Sequence, residues 1–171
     1  MSTLLISIAE QKLRLLEGET VQFESRISSA KNGVNCHKNS GGTPTGWHSI
    51  RAKIGEGAPL NTAFRGRRPF MVYSEASHEQ SADWILSRII WLSGLEIGHN
   101  RLGDVDTMQR YIYIHGTPDC EPMGTPLSHG CIRMRSDEVI ALFDLLKANT
   151  RVWIMAQTLD WMQQQLPQEL C

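Results

Sequence analysis

The sequence predicts a mostly β domain, and three observations favour this class. The chain has 171 residues, of which 41% are hydrophobic and 20% charged, as in ordinary globular proteins. Its apolar residues fall in short segments with partial alternation, separated by turn residues. Only one segment has the longer periodicity of an amphipathic helix with a capping residue before it. We therefore expect a single domain over residues 1–171, large enough to fold around its own core.

The first half predicts strands only. Leu4–Ala9, Leu13–Leu16 and Thr20–Ser28 are separated by turn residues and predict an antiparallel meander. Residues 30–46 are rich in Gly, Asn, Ser and Pro, which predicts a long loop. Further strands are expected over Trp47–Ile54 and Pro69–Tyr73. Residues 55–68, which carry Arg65, Arg67 and Arg68, are interpreted as a connection between them.

The second half adds helices. Residues 82–94 suit either a helix or a strand, and their β-branched and aromatic content favours a strand. Tyr111–His115 alternates and predicts a strand that ends in a histidine. Ser136 is expected to cap an amphipathic helix that ends near Lys147. A strand over Arg151–Met155 and a short helix over Leu159–Leu166 complete the prediction.

Charge, hydropathy and cysteines exclude several classes of function. The formal net charge is −1, so nothing favours binding to nucleic acid or to an anionic membrane surface. No apolar stretch is long enough to cross a bilayer, and the first residues lack the basic region of a signal peptide. We therefore expect a cytoplasmic protein. Its four cysteines, which form no CxxC pair, are expected to remain thiols.

The segment from His115 to Met134 carries the chemistry. A thiol attacks as its thiolate, which imidazole, backbone N–H groups or a helix N-terminus can favour. Cys131 precedes the predicted helix, Gly130 permits a tight turn that directs amides at an oxyanion, and His115 ends a strand 16 residues upstream. Taken alone, a cysteine beside a glycine and a histidine at the end of an apolar strand are more often buried structural residues than catalytic ones.

Two motifs at a characteristic separation resemble the L,D-transpeptidase (YkuD-type) catalytic domain: Ser128-His-Gly-Cys131 followed by Ile-Arg-Met134, and His115-Gly-Thr117. Thr43-Pro-Thr-Gly46 is similar to that family's TPxG loop. The resemblance extends over about residues 4–155 and implies a sandwich or barrel-like sheet with one main helix after the cysteine and a short C-terminal helix. Ser136 stands where the family commonly has Asn.

The resemblance also implies roles for the matching residues. Cys131 would attack a peptidoglycan stem peptide and form a thioester with release of D-alanine, and His115 would be base and then acid, oriented by the Gly116 carbonyl. The amides of Gly130 and Cys131 would form the oxyanion hole. Substrate contacts are assigned around them to Ser128, to His129 on the acceptor side, and to Arg133 as a loop or carboxylate partner. No cofactor or metal is implied.

A cytoplasmic enzyme has no wall polymer to cross-link, so the predicted reaction is hydrolysis: an L,D-carboxypeptidase would remove D-alanine from soluble peptidoglycan tetrapeptides, free or sugar-linked, during murein recycling. Such an enzyme needs a basic residue for the terminal carboxylate, and Arg133 and the Arg65, Arg67 and Arg68 cluster are unranked candidates. A charge run such as this cluster is most often a solvated face. The oligomeric state is left open.

Three alternatives remain. The same thioester could be resolved by an amine, in transpeptidation or exchange of D-amino acids. The chain could be a non-catalytic wall-fragment binder or thiol sensor, which covalent labelling of Cys131 by a carbapenem would argue against. It could also hold zinc through His115, His129, Cys120 and Cys131, although these lack the short paired spacings of zinc sites.

Overall fold

The computed structural model describes residues 1–77 and 83–167 and is built mainly from β-strands. The strands of the described residues are β1 (Ser2–Ser7), β2 (Lys12–Glu17), β3 (Thr20–Arg26), β4 (Gly46–Ile54), β5 (Thr62–Arg65), β6 (Arg68–Val72), β7 (Leu86–Gly94), β8 (Tyr113–Thr117), β9 (Ile132–Arg135) and β10 (Arg151–Met155). The helices are α1 (Ser136–Leu145) and α2 (Leu159–Gln164), with 3₁₀ turns at Glu75–Ser77 and Gly103–Val105.

All of these strands belong to one sheet that curls, which confirms the predicted fold class. The order is β3-β2-β1-β10-β4-β7-β5-β6, and β8 pairs with β7 on one side and β9 on the other. The antiparallel meander β1–β2–β3 is as predicted. β1 pairs in parallel with β10, so the first and the last strand lie side by side. The sequence pattern of neither strand predicts this pairing. Register shifts within β7 and its neighbours bend the sheet, as β-bulges do.

Helix α1 covers one face of the sheet. Val139, Leu142 and Phe143 are buried on its inner side and join the main core with residues of β1, β7, β8, β9 and β10. On the opposite face, Leu159 and Met162 of α2 pack against β1 and β2. Both faces of β1 are therefore buried, which explains its unbroken apolar run.

Several element predictions need correction. Residues 55–68 contain the strand β5, which forms a tight hairpin with β6, and Ile132–Arg135 forms β9. The strand preferred for residues 82–94 is confirmed over Leu86–Gly94, and residue 82 lies outside the described residues. Ser136 does not cap α1: the N-cap position belongs to Arg135, and the buried Ser136 hydroxyl has no hydrogen-bond partner in the described structure.

The helices are short. α1 has 10 residues and α2 has 6, and within residues 1–77 and 83–167 no helix has the length and apolarity that a membrane span requires. The parallel pair β8–β9 positions the candidate site. In the chain, β9 is followed directly by α1.

Candidate active site

The parallel strands β8 and β9 place the motif residues on one face of the sheet. His115 pairs with Arg133 and Ile114 with Ile132 in the register. Ile114 and Ile132 are fully buried in the core beneath α1. Because side chains alternate along a strand, Tyr113, His115, Cys131 and Arg133 all point to the other face. The three-dimensional fold therefore brings the predicted nucleophile and base into one short row.

The Cys131 sulfur lies against the backbone of the segment that leads into β8. The Tyr113 N–H donates to Sγ at 3.3 Å, and the thiol donates to the Tyr111 carbonyl at 3.4 Å. Burial raises the pKa of the Cys131 thiol from 9.0 to about 11, although the Tyr113 amide and the Arg133 and Arg110 charges oppose this effect. At neutral pH the sulfur is consequently a thiol, so the predicted nucleophilic role would require a base that takes its proton.

His115 is suited to act as that base. Its side chain is buried, and Nδ1 donates to the Gly116 carbonyl at 2.7 Å, which leaves Nε2 with the lone pair. Burial lowers the pKa of His115, although the Gly116 carbonyl and Asp83 act in the opposite direction. The imidazole is therefore neutral at pH 7. No hydrogen bond joins it to Cys131 in the described structure, since the sulfur contacts the backbone instead.

Gly116 has no room for a side chain. A Cβ at this position would come within 2.6 Å of the Leu86 carbonyl oxygen and 2.8 Å of the Ser136 hydroxyl. The close approach of β7 and α1 holds the backbone at this point, so the carbonyl that orients His115 is rigidly placed.

The loop before the nucleophile is held from inside by Ser128. Its hydroxyl accepts from the Gly130 N–H at 3.2 Å and donates to the Cys131 carbonyl, and the side chain is buried. Thr43 of the predicted TPxG loop donates to the Gly130 carbonyl at 3.0 Å. Ser128 and Thr43 therefore shape the loop, and of the two amides predicted for the oxyanion hole, that of Gly130 already donates to the Ser128 hydroxyl.

An acidic residue connects the two remaining predicted residues. Asp83 accepts from Arg133 Nη2 at 2.7 Å through one oxygen and contacts His129 Nδ1 at 3.1 Å through the other. Glu121 lies 3.5 Å from Arg133 Nη1. Burial alone would raise the pKa of Asp83, but the His129 hydrogen bond and the nearby His115 and Arg133 charges hold it below the ordinary value. Arg133 is thus buried and ion-paired, whereas His129 is largely exposed at the rim.

Comparisons with known proteins agree on one family. A family model described as the L,D-transpeptidase catalytic domain, YkuD, matches residues 2–154. The chain belongs to the YkuD family.

Individual relatives give the same result. A Bacillus subtilis protein named "Putative L,D-transpeptidase YqjB" is 51% identical over 41 residues, which are 24% of this chain and 23% of that one. An L,D-transpeptidase from Mycobacterium smegmatis superimposes with a TM-score of 0.53 at 14% identity over 91% of this chain and 58% of that structure. The catalytic domain of an E. faecium L,D-transpeptidase superimposes with a TM-score of 0.50 at 16% identity over 91% and 97%. These structural likenesses concern the fold alone, and the chain spans about half the length of several solved structures it matches, 49% in two cases.

The sequence of this YkuD domain did not point to Asp83. A lone aspartate about 50 residues from Arg133 has no local signal, and only the fold brings it to the site. It also did not point to Tyr113 as a donor to the sulfur, since that contact is made by the backbone. The Tyr113 contact follows from the register of β8 with β9, whereas Asp83 lies before β7 and outside the paired strands.

A cavity of about 530 Å³ in the YkuD domain has Arg110, Tyr111 and His129 among its lining residues, and the Tyr111 carbonyl is one of the groups that contact the Cys131 sulfur. Arg110 donates to the carbonyls of Asn35, Cys36 and Gly42, and so holds the long loop predicted for residues 30–46 against the site.

The zinc alternative has no support from this geometry. Among residues 1–77 and 83–167, no three His, Cys, Asp or Glu side chains converge in a way that could hold a metal ion. His115 and His129 each use Nδ1 in contacts with protein oxygen atoms. Cys36, Cys120 and Cys131 carry free thiols.

Proposed function

We propose that this chain is a cysteine L,D-carboxypeptidase that removes the terminal D-alanine from soluble murein tetrapeptides, free or sugar-linked, as in the recycling of wall fragments. The observation that carries the proposal is the row on the outer face of β8 and β9. There Cys131 receives the Tyr113 N–H, and His115, oriented by Gly116, lies two residues further along the same strand as Tyr113.

Acylation begins with both groups neutral. Nε2 of His115 takes the thiol proton of Cys131 while the sulfur attacks the carbonyl carbon of the third residue of the stem peptide. The Tyr113 N–H stabilises the developing charge on sulfur, and the Cys131 amide stabilises the oxyanion. The protonated His115 then gives its proton to the leaving amine, the C–N bond breaks, and D-alanine departs from a thioester.

Deacylation by water repeats these steps in reverse roles. His115 takes a proton from water, the hydroxide attacks the thioester, and the Cys131 thiol is restored. Water is the proposed acceptor. An amine that reached the thioester in its neutral, nucleophilic form would be activated by His115 in the same way and would give transpeptidation instead.

The test is incubation of purified protein with a murein tetrapeptide, with and without an added D-amino acid, followed by mass spectrometry. We expect tripeptide and D-alanine in both cases. The Cys131→Ala variant should lose this activity, while Cys120→Ala, which removes an exposed thiol elsewhere, should retain it. If exchange or cross-linked products dominate, the enzyme is an L,D-transpeptidase. If Cys131→Ala retains full activity, the thioester mechanism is wrong.

A further inference from the structure

The guanidinium group of Arg67 lies in an aromatic cluster of unusual composition. Its carbon is 4.7 Å from the Trp91 ring centre and 5.2 Å from the Tyr111 ring centre. Its Nη1 donates to the Tyr113 hydroxyl at 3.1 Å. Two ring stacks and one hydrogen bond hold the long side chain in a defined position.

The same tyrosines border the nucleophile. The Tyr113 N–H and the Tyr111 carbonyl are the two groups that contact the Cys131 sulfur, at 3.3 and 3.4 Å. Each tyrosine therefore contacts Cys131 through its backbone and Arg67 through its side chain. Arg67 and the Cys131 sulfur are thus linked through the same two tyrosines.

The remaining donors of Arg67 are available. Stacking uses the faces of the planar guanidinium, and its edges are the part that binds a carboxylate with two hydrogen bonds. Among residues 1–77 and 83–167, no Asp or Glu forms an ion pair with Arg67.

The other arginines near the site are already engaged. Arg133 is buried and paired with Asp83 and Glu121. Arg110 uses its two terminal nitrogens on the backbone and side chains of residues 35–42. Arg67 is the arginine that combines a fixed position against the tyrosines that contact Cys131 with an unpaired charge in the described part of the chain.

The backbone at Arg67 provides an independent argument. Arg65 pairs with Arg68 across the β5–β6 hairpin, and both turn residues have positive φ, 54° at Gly66 and 64° at Arg67. Gly and Asn suit the second position of such a turn, whereas a long side chain is uncommon there. An arginine at a position whose backbone conformation disfavours long side chains indicates a functional role for that side chain.

We propose that Arg67 binds the free α-carboxylate of the residue that the enzyme releases, and so selects peptides that end one residue beyond the cleaved bond. The inference rests on the proposed carboxypeptidase function, which requires such a group. It ranks Arg67 above Arg65, Arg68 and Arg133 as the carboxylate-binding residue.

The test measures binding by calorimetry in the Cys131→Ala protein, so that no turnover occurs. The probes are a murein tetrapeptide with a free D-alanine carboxylate and the same peptide ending in D-alaninamide. Arg67→Asn is the test variant because Asn tolerates positive φ and keeps the turn. Arg68→Gln, at the exposed neighbouring position, is the matched control.

Loss of a charge-assisted carboxylate contact should weaken binding of the acid about 10- to 100-fold and leave binding of the amide unchanged. Arg67→Lys should lie between, and Arg68→Gln should bind like the parent. Equal effects on acid and amide, or none, would overturn the role of Arg67 alone. Failure of the parent to bind either peptide would overturn this role and the proposed function together. If binding prefers the acid and depends on Arg67, but the wild-type enzyme does not hydrolyse the peptide, only the proposed function is overturned.

Discussion

Replacement of Asp83 by Asn tests whether the ion pair at the site is structural. The Asp83 carboxylate is 2.7 Å from Arg133 Nη2, and the Arg133 side chain is only 7% exposed. In Asp83→Asn an amide oxygen is still available to accept from Nη2, but the negative charge is lost. Among the described residues the 3.5 Å contact with Glu121 is then the remaining ion pair of Arg133, whose Nε already lacks a partner. The variant thus leaves the buried charge of Arg133 paired with one carboxylate, where the wild type has two.

The expected cost lies between those of buried and exposed ion pairs. Breaking a buried pair costs about 3–5 kcal/mol, but Asp83 is 39% exposed, so water screens part of the interaction. We expect Asp83→Asn to lower the free energy of unfolding by about 1–3 kcal/mol in urea denaturation followed by tryptophan fluorescence. Glu121→Gln, which removes the longer contact to the same guanidinium, is the matched control and should cost about 0–1 kcal/mol.

The pH dependence gives a second criterion. The pKa of Asp83 is held below its ordinary value of 3.8, so its contribution is fully present above that value and is lost as the pH falls through the lower folded pKa. The stability difference between wild type and Asp83→Asn should therefore be constant from neutral pH down to about 4 and shrink below it. Equal destabilisation by Asp83→Asn and Glu121→Gln, or a difference unchanged at acid pH, would refute the reasoning.

The remaining predictions concern proton positions and one buried hydroxyl. Alkylation of Cys131 by iodoacetamide should accelerate with pH up to about 11, its raised pKa; a plateau near neutral pH would show a resting thiolate instead. Hydrolysis should lose activity only below pH 6.5, because burial lowers the pKa of His115 and the base must be neutral; an acid limb above 6.5 in the kcat/KM profile would contradict this. Ser136→Ala should leave the free energy of unfolding unchanged or raise it by up to about 1 kcal/mol, since the hydroxyl is buried without a partner; a loss of about 1 kcal/mol would restore the capping role.

The parts of the site that sequence reasoning could predict are those set by local pattern. Alternation before His115 predicts a strand over Tyr111–His115 that presents its side chains on two faces. β8 alternates in this way but runs over Tyr113–Thr117, so His115 lies at its centre and not at its end. The glycine beside Cys131 predicts a tight turn, and Gly130 has a φ of 134°. In each case the physical cause lies within a few residues of the observed feature.

The rest depends on contacts between distant segments. Asp83 and Arg133 are 50 residues apart, and nothing local to either predicts their pairing. Arg67 was one of three arginines in a segment interpreted as a connection. Only the observed β5–β6 hairpin, in which Arg65 pairs with Arg68 and Arg67 lies in the turn, distinguishes it from the other two. Ser136 had the correct residue type for a cap, but helix α1 begins one residue earlier than that role requires, directly after β9.

The alternation of β8 and β9 also explains how a site with few internal hydrogen bonds stays ordered. No hydrogen bond holds His115 and Cys131 together in the described structure, yet each neighbours an isoleucine that is fully buried beneath α1. A shift of either strand along the pair would have to move Ile114 or Ile132 within a closely packed core, which is costly. The relative position of His115 and Cys131 is therefore maintained by the core on the opposite face, and their own contacts remain available for the proton transfer that we propose.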